Sequence, residues 1–333
     1  MQQTTLKTAE LGNTGLQITR VGFGAWAIGG GGWAHGWGEQ DDDASVAAIR
    51  HAVESGVNWI DTAAVYGLGH SEEVVAQALA PYSDADRPYV FTKCGLVWDE
   101  DDRSVDPQRS GDPASLRREV EASLRRLNTE RIDLYQMHWP ATAEPVQEYW
   151  QVLLDLRAEG KVRAVGLSNH NRRQLDSAEV LGHVDSLQPP FSLINRAATD
   201  EIGWCQTHHT GVIVYSPMQS GLLTGAFTAQ RAAALPDNDW RSRDAEFTGD
   251  QLQRNLALVD ALRPVAHRHN TTVATVSVAW CLAQSGITAA IVGARDPGQV
   301  DGWIGAPDIE LTPDDLTDIA GAIHRTGAGH GGR

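Results

Sequence analysis

Residues 57–67 read VNWIDTAAVYG, residues 89–95 read YVFTKCG and residues 133–139 read DLYQMHW. Each stretch carries a short run of β-branched, aromatic and other apolar residues, the composition of a strand. Just past each run stand ionisable side chains: Asp61 and Tyr66, then Lys93, then His138. The segments between them, 71–79 and 113–127, repeat apolar residues every three or four positions, as in Val120, Leu124 and Leu127, which marks helices covering one face of a sheet. Strand, helix and parallel strand in succession make a βαβ unit.

The same alternation extends in both directions. Strands are expected at 21–25, 57–60, 89–92, 132–137, 162–166, 186–188, 212–215 and 289–292, and helices also at 43–54, 146–159, 172–180 and 274–284. Eight strands with intervening helices predict an α/β fold, the (β/α)8 TIM barrel, in which residues that follow the strands gather at one mouth. Asp61, Tyr66, Lys93 and His138 then come from three neighbouring strands. One barrel domain is expected over residues 1–325, with residues 326–333 as a flexible glycine-rich tail. Residues 4–18, with Gly12-Asn13-Thr14-Gly15 at their centre, read as a β-hairpin plugging one end. Ser71, followed by Glu72 and Glu73, reads as a helix N-cap. Two connections, 95–112 and 217–250, exceed the usual loop length and follow strands at the mouth, where they are expected to bind something.

Composition narrows the function. Forty-one per cent hydrophobic and 21% charged residues in a 333-residue chain suit a large packed core. A formal charge of −16, from 43 acidic and 27 basic residues without a basic block, argues against a nucleic-acid partner. The longest apolar stretch, 273–283, is well short of the roughly 18 residues of a membrane span, and the first dozen residues lack the apolar core of a signal peptide. Cys94, Cys205 and Cys281 form no metal-ligand spacing, so a cytoplasmic protein is expected. The acidic runs 39–43 and 99–102 lack a calcium-loop pattern and read as solvated charge; no metal site is expected.

Singly, each mouth residue has an ordinary explanation: Asp61 a turn cap, Tyr66 loop packing, Lys93 a snorkelling chain, His138 a satisfied core imidazole. As a set they resemble the motifs of the aldo-keto reductases, a likeness running from about Leu6 to about Ile319. WAIGGGGW at 26–33 and FTKCGLVW at 91–98 are similar to bacterial members of the stress-response and inositol-operon type. The resemblance implies an oxidoreductase that interconverts carbonyl and alcohol by hydride transfer with nicotinamide, with Asp61, Tyr66, Lys93 and His138 catalytic. A phenol with an ordinary pKa of about 10 keeps its proton at neutral pH yet can give it to a developing alkoxide. Lys93 is expected to lower the Tyr66 pKa, Asp61 to hold Lys93, and His138 to donate to the substrate oxygen.

For the cofactor, Gly67-Leu68-Gly69 lacks the third glycine of a dinucleotide fingerprint. The resemblance instead implies Ser168, Asn169 and Gln188 as carboxamide ligands and Tyr215 as the ring beneath nicotinamide. It also implies a pyrophosphate loop at 216–225 with Ser216, Pro217, Gln219, Gly221 and Leu222, and a segment for the adenosine 2′-phosphate with Gly293, Arg295 and Gln299. NADP(H) is therefore preferred, with NAD(H) not excluded, because Gly302-Trp303 stand where many members carry Glu-Asn. Trp26 is expected at both cofactor and substrate, and Trp98 and Trp139 in the substrate pocket. Two rivals stay open, a slowly turning cofactor-binding regulatory subunit and a metal-dependent barrel hydrolase or isomerase. The expected partner is a small carbonyl or alcohol substrate. Which substrate, which direction, and whether the chain forms a homo-oligomer are left open.

Overall fold

A computed structural model describes residues 6–236 and 239–331. In it β1 (Thr8–Glu10) and β2 (Gln17–Thr19) form an antiparallel hairpin, with residues 4 and 5 of the expected segment lying outside the described residues. Leu11, Leu16 and Ile18 are at most 1% exposed and pack with Trp59, Phe91 and Leu134 inside one end of the barrel, so the hairpin is the plug. Its turn needs Gly12: φ is +55°, and a Cβ there would lie 2.8 Å from the Asp185 and His209 carbonyls.

The chain continues through β3 (Val21–Gly24), β4 (Trp59–Asp61), β5 (Tyr89–Cys94), β6 (Leu96–Val97), β7 (Gln108–Arg109), β8 (Ile132–Met137) and β9 (Val162–Ser168). After them come β10 (Ser186–Gln188), β11 (Asn195–Arg196), β12 (Gly211–Val214), β13 (Ala289–Gly293) and β14 (His330–Gly331). Strands β3, β4, β5, β8, β9, β10, β12 and β13 close into one parallel barrel, each beside its successor and β13 beside β3. These are the eight expected strands, so the fold is the (β/α)8 barrel.

The strand ends differ in an informative way. β4 includes Asp61, β5 runs past Lys93 and β9 reaches Ser168, with Asp61 registered against Phe91 and Lys93 against Gln136. A reading from hydrophobicity stops at the last apolar residue, whereas the hydrogen-bond ladder continues through the polar ones. Asp61 and Lys93 are thereby held by sheet rather than by loop.

Around the barrel lie α1 (Asp42–Glu54), α2 (His70–Leu79), α3 (Pro113–Arg126), α4 (Val146–Ala158), α5 (Arg172–Glu179), α6 (Thr199–His208), α7 (Ala229–Ala233), α8 (Gly249–Arg268), α9 (Val273–Ala283), α10 (Pro297–Asp301) and α11 (Pro313–Thr326). The long α8 carries Pro264 and α6 carries Gly203, residues that interrupt a helical pattern in sequence but are tolerated once the helix is packed.

Ser71 does not cap α2. The helix begins at His70 behind Gly69, and the Ser71 hydroxyl instead donates to the Ala25 carbonyl at 2.9 Å and meets the Thr62 hydroxyl. Glu72 is also inside, accepting from Thr92 at 2.6 Å and from Arg126 at 2.7 Å, so the pair ties α2 to the sheet and to α3.

Neither long connection is structureless. β6 and β7 pair inside the first, while α7 and short 3-10 turns at Gln219–Thr224, Trp240–Ser242 and Ala245–Phe247 fill the second, of which residues 237 and 238 lie outside the described residues. The expected tail is also tied down as far as residue 331. Thr326 ends α11, Ala328 is 2% exposed, and the His330 amide donates to the Ile194 carbonyl at 2.8 Å beside the β11–β14 pairing. Residues 332 and 333 of that tail lie outside the described residues. Among the described residues no helix is long and apolar enough to cross a membrane.

Candidate active site

Where β4, β5 and β8 end, their polar residues converge. The Lys93 ammonium donates to Asp61 Oδ2 at 2.5 Å, to the Thr62 carbonyl at 2.9 Å and to the Tyr66 hydroxyl at 3.4 Å. Gln188 Nε2, at the end of β10, donates to the other Asp61 oxygen at 2.8 Å. Lys93 lies 5.1 Å from the centre of the Tyr66 ring, and the His138 imidazole stands edge-on to that ring with centroids 5.7 Å apart. All four expected residues are therefore brought together. Their order is layered: the Lys93 side chain has no exposure and that of Asp61 4%, while Asp61, Tyr66 and His138 help to line the cavity at the mouth.

Burial controls the protonation. It pushes the Asp61 carboxyl up and the Lys93 amine down, and their close contact opposes both shifts. Tyr66 is raised well above the ordinary phenol, first by burial and then by the Asp61 charge. This corrects the expectation of a lowered tyrosine pKa: loss of water and the Asp61 charge both raise it, so the phenol keeps its proton throughout the neutral range. His138 is held well below the usual imidazole range by burial and by the positive charges of Lys93 and Arg109. A neutral imidazole is the result, donating from one nitrogen. The carbonyl-reduction kcat is accordingly expected to show no inflection near the ordinary imidazole pKa of about 6.5. A pH profile with such an inflection, absent in His138→Gln, would overturn a neutral His138.

The cavity above the tetrad holds about 950 Å³ and runs from His138 and Trp139 to Arg295, Gln299, Gly302 and Trp303. Trp26 lines it, stacked on Tyr66 with centroids 6.2 Å apart and on Trp240 at 6.5 Å. Asn169, Gln188 and Tyr215 line it as well, and the Tyr215 hydroxyl donates to Asn169 Oδ1 at 2.8 Å. Gln188 spends its amide nitrogen on Asp61, and among the described residues no donor reaches its oxygen, which suits the amide hydrogens of a carboxamide. Ser216, Pro217 and Gly221 form the wall beyond Tyr215, where Ser216, Gln219 and Ser220 all have positive φ, a tight turn that other contacts must stabilise. Gly293 lines the cavity opposite Gly24, its register partner in β3.

Several expected contacts are displaced from the wall. Ser168 is 1% exposed and its hydroxyl donates to the Gln188 carbonyl. Gln219 turns away to accept from Ser192 and to donate to Glu246. Leu222 is fully buried in the core. Trp98 packs with Trp33, Ala63 and Val65 instead of lining the cavity, whereas Trp139 does line it. Trp303 is 1% exposed with no acceptor for its indole nitrogen among the described residues, so it offers the adenosine end no broad stacking face.

Trp37, one of the tryptophans that follow the strands, lines the wall, and the structure adds three wall residues that sequence reasoning missed: Arg109, Arg231 and Arg241. Loop length was the signal, since the three arginines lie in the two long connections. Nothing in their local spacing marks which side chains turn inward. Among the described residues no group of three or more His, Cys, Asp or Glu side chains is arranged to hold a metal.

Comparison with known proteins agrees with this geometry. The model of the aldo/keto reductase family matches residues 20–324. The chain is 33% identical over 323 residues to the aldo-keto reductase YhdN of Bacillus subtilis, covering 96% of this chain and 95% of that protein. It is 34% identical over 335 residues to the NADH-specific methylglyoxal reductase of Escherichia coli, covering 96% and 100%. Among solved structures, the glycerol dehydrogenase AKR11B4 of Gluconobacter oxydans superposes with a TM-score of 0.86 at 36% identity, over 98% of this chain and 97% of that one.

Proposed function

This chain belongs to the aldo/keto reductase family, oxidoreductases that interconvert carbonyls and alcohols with a nicotinamide cofactor, and from that premise we propose how its own residues divide the work. The observation that carries the proposal is the buried Asp61–Lys93 pair beneath the Tyr66 hydroxyl, with His138 edge-on beside it. Bound nicotinamide supplies the hydride in reduction and accepts it in oxidation. Tyr66 is the general acid, giving its phenolic proton to the carbonyl oxygen. Lys93 neutralises the phenolate left behind, and Asp61 keeps Lys93 charged and aimed. Neutral His138 donates to the same oxygen and aligns it.

Tyr215 supports the nicotinamide ring, while Gln188 and Asn169 bind its carboxamide. The turn of Ser216, Pro217 and Gly221 receives the pyrophosphate, which the backbone amides of Ser216 and Met218 meet, while the Gly221 amide holds the turn by donating to the Met218 carbonyl at 3.2 Å. Ser168, Gln219 and Leu222 brace these groups from behind. Multiple turnovers of reduced nicotinamide with a panel of aldehydes and ketones would support this reading. Tight cofactor binding with less than one turnover across the panel would sink it.

NADP(H) is the cofactor we favour. Arg295 donates to the Gln40 side-chain oxygen and to the Glu39 carbonyl, both uncharged, so its guanidinium charge is not cancelled and remains available to a 2′-phosphate. One observation favours NAD(H): the Asp296 carboxylate lies beside this group, accepting from Gln299 at 2.7 Å, and would repel a phosphate. The relative named NADH-specific is similar to this chain throughout its length. The two readings separate on Arg295→Ala. If the 2′-phosphate is held here, the variant loses NADPH affinity about ten-fold more than NADH affinity, about 1.4 kcal/mol. Equal losses for the two would mean that Arg295 does not read the phosphate.

A further inference from the structure

The long connection after β5 delivers one guanidinium to the substrate end of the cavity without giving it a counter-ion. In the β6–β7 pairing Leu96 stands opposite Arg109, and directly opposed residues of antiparallel strands project to one face. Both line the cavity. The short ladder is anchored by Ser110 donating to the Gly95 carbonyl at 3.1 Å, and the Thr142 hydroxyl donates to the Arg109 carbonyl at 3.3 Å.

The guanidinium carbon lies 4.4 Å from the centre of the Trp139 ring, and Trp139 is the residue next to His138. Stacking of this kind leaves the in-plane N–H groups of the guanidinium open at their edge. Among the described residues no carboxylate pairs with Arg109. Arg241, on the same wall, is by contrast held by both oxygens of Asp239. Asp106, on the Arg109 rim, sits 3.3 Å from His35.

The wall also inverts the charge of the chain. The protein carries 43 acidic against 27 basic residues, yet with the paired Arg241 and Asp61 set aside, Arg109, Arg231 and Arg295 line this cavity against only Asp106. Arg295 belongs to the adenosine end. Arg109 stands by the imidazole that faces the reacting carbonyl, among Trp26, Trp33, Trp139 and Leu96.

Resting on the oxidoreductase reading above, we propose that Arg109 receives an anionic substituent of the substrate, so that the preferred substrates are carbonyl compounds bearing a carboxylate or phosphate on an apolar body. The body lies against the tryptophans, the carbonyl oxygen meets Tyr66 and His138, and the anion forms charge-assisted hydrogen bonds to the open edge of the guanidinium.

The test compares kcat/KM for para-formylbenzoate and para-formylphenyl phosphate with that for the neutral methyl para-formylbenzoate, in the wild-type chain, Arg109→Met and Arg109→Lys. A hydrogen bond to a charged group is strong enough for a preference of about ten-fold or more, so the wild type should favour at least one anion over the ester by that factor. Arg109→Met should collapse the anion-to-ester ratio, chiefly through KM, while Arg109→Lys keeps part of it. The anion that is favoured identifies carboxylate or phosphate as the source. Reduction of the ester with no anion preference, or an unchanged ratio in Arg109→Met, overturns this inference alone. No reduction of any of the three by the wild type, while other carbonyls of the panel are turned over, overturns this inference alone, and no turnover across the whole panel overturns the oxidoreductase reading with it.

Discussion

Replacing Tyr66 with phenylalanine will lower kcat for carbonyl reduction by about 10²–10⁴-fold, the range that a positioned general acid contributes. The substitution removes one oxygen and keeps the ring, so the stack on Trp26 and the edge contact with His138 stay in place. Cofactor affinity, read by fluorescence titration, should therefore change little. The phenol is pushed well above its ordinary pKa by burial and by Asp61, so the proton needed for reduction is present at every neutral pH. The sign reverses for alcohol oxidation. That direction needs the phenolate, which a raised pKa makes scarce, so wild-type oxidation should climb with pH while reduction stays level until strongly alkaline conditions. A Tyr66→Phe enzyme that reduces carbonyls near the wild-type rate would assign the proton to another donor.

Lys93→Met carries the second large effect, and it falls on stability as well as on rate. Lys93 is wholly enclosed and Asp61 almost so. Removing the ammonium leaves a buried carboxylate with Gln188 Nε2 as its remaining side-chain donor at hydrogen-bonding distance. Breaking a buried pair in this way costs about 3–5 kcal/mol, because the charge that remains has lost both water and partner. The urea midpoint should drop accordingly, and the deficit should shrink on acidification, since a protonated Asp61 needs no counter-ion. Asp61→Leu added to Lys93→Met should recover most of the stability, as apolar replacement of a whole buried pair does, and none of the activity. If Lys93→Met unfolds at the wild-type midpoint, the pair contributes no net stability and Asp61 is neutralised by other means.

Much of this molecule is legible in local patterns. The alternation of strand and helix has short periods, so the eight barrel strands and the helices of the first half announce themselves within a dozen residues, whereas α6 and α8, carrying Gly203 and Pro264, do not. Asp61, Tyr66, Lys93 and His138 stand at or just beyond strand ends, and a parallel barrel sends all such residues to the same mouth. Gly12 and Asn13 likewise mark the hairpin by their turn chemistry alone.

The rest depends on partners remote in sequence. Ser71 has the residue type of a cap but bonds to Ala25 and Thr62, because β3 and β4 lie beneath it. Trp98 and Trp139 look equivalent as residues following strands, yet one packs under Trp33 and the other faces the cavity with Arg109 over its ring. Gln219 belongs to a motif and still turns toward Ser192 and Glu246.

Sequence by itself therefore determined the barrel, the family resemblance and the positions of the four mouth residues, since each rests on short-range periodicity or on residues adjoining a strand. Tertiary structure alone decided that Tyr66 holds its proton tightly, that His138 is neutral, and that Arg109 enters the cavity without a counter-ion. Desolvation and charge proximity are set by atoms from many strands and loops at once, and no local spacing records how much water those atoms displace.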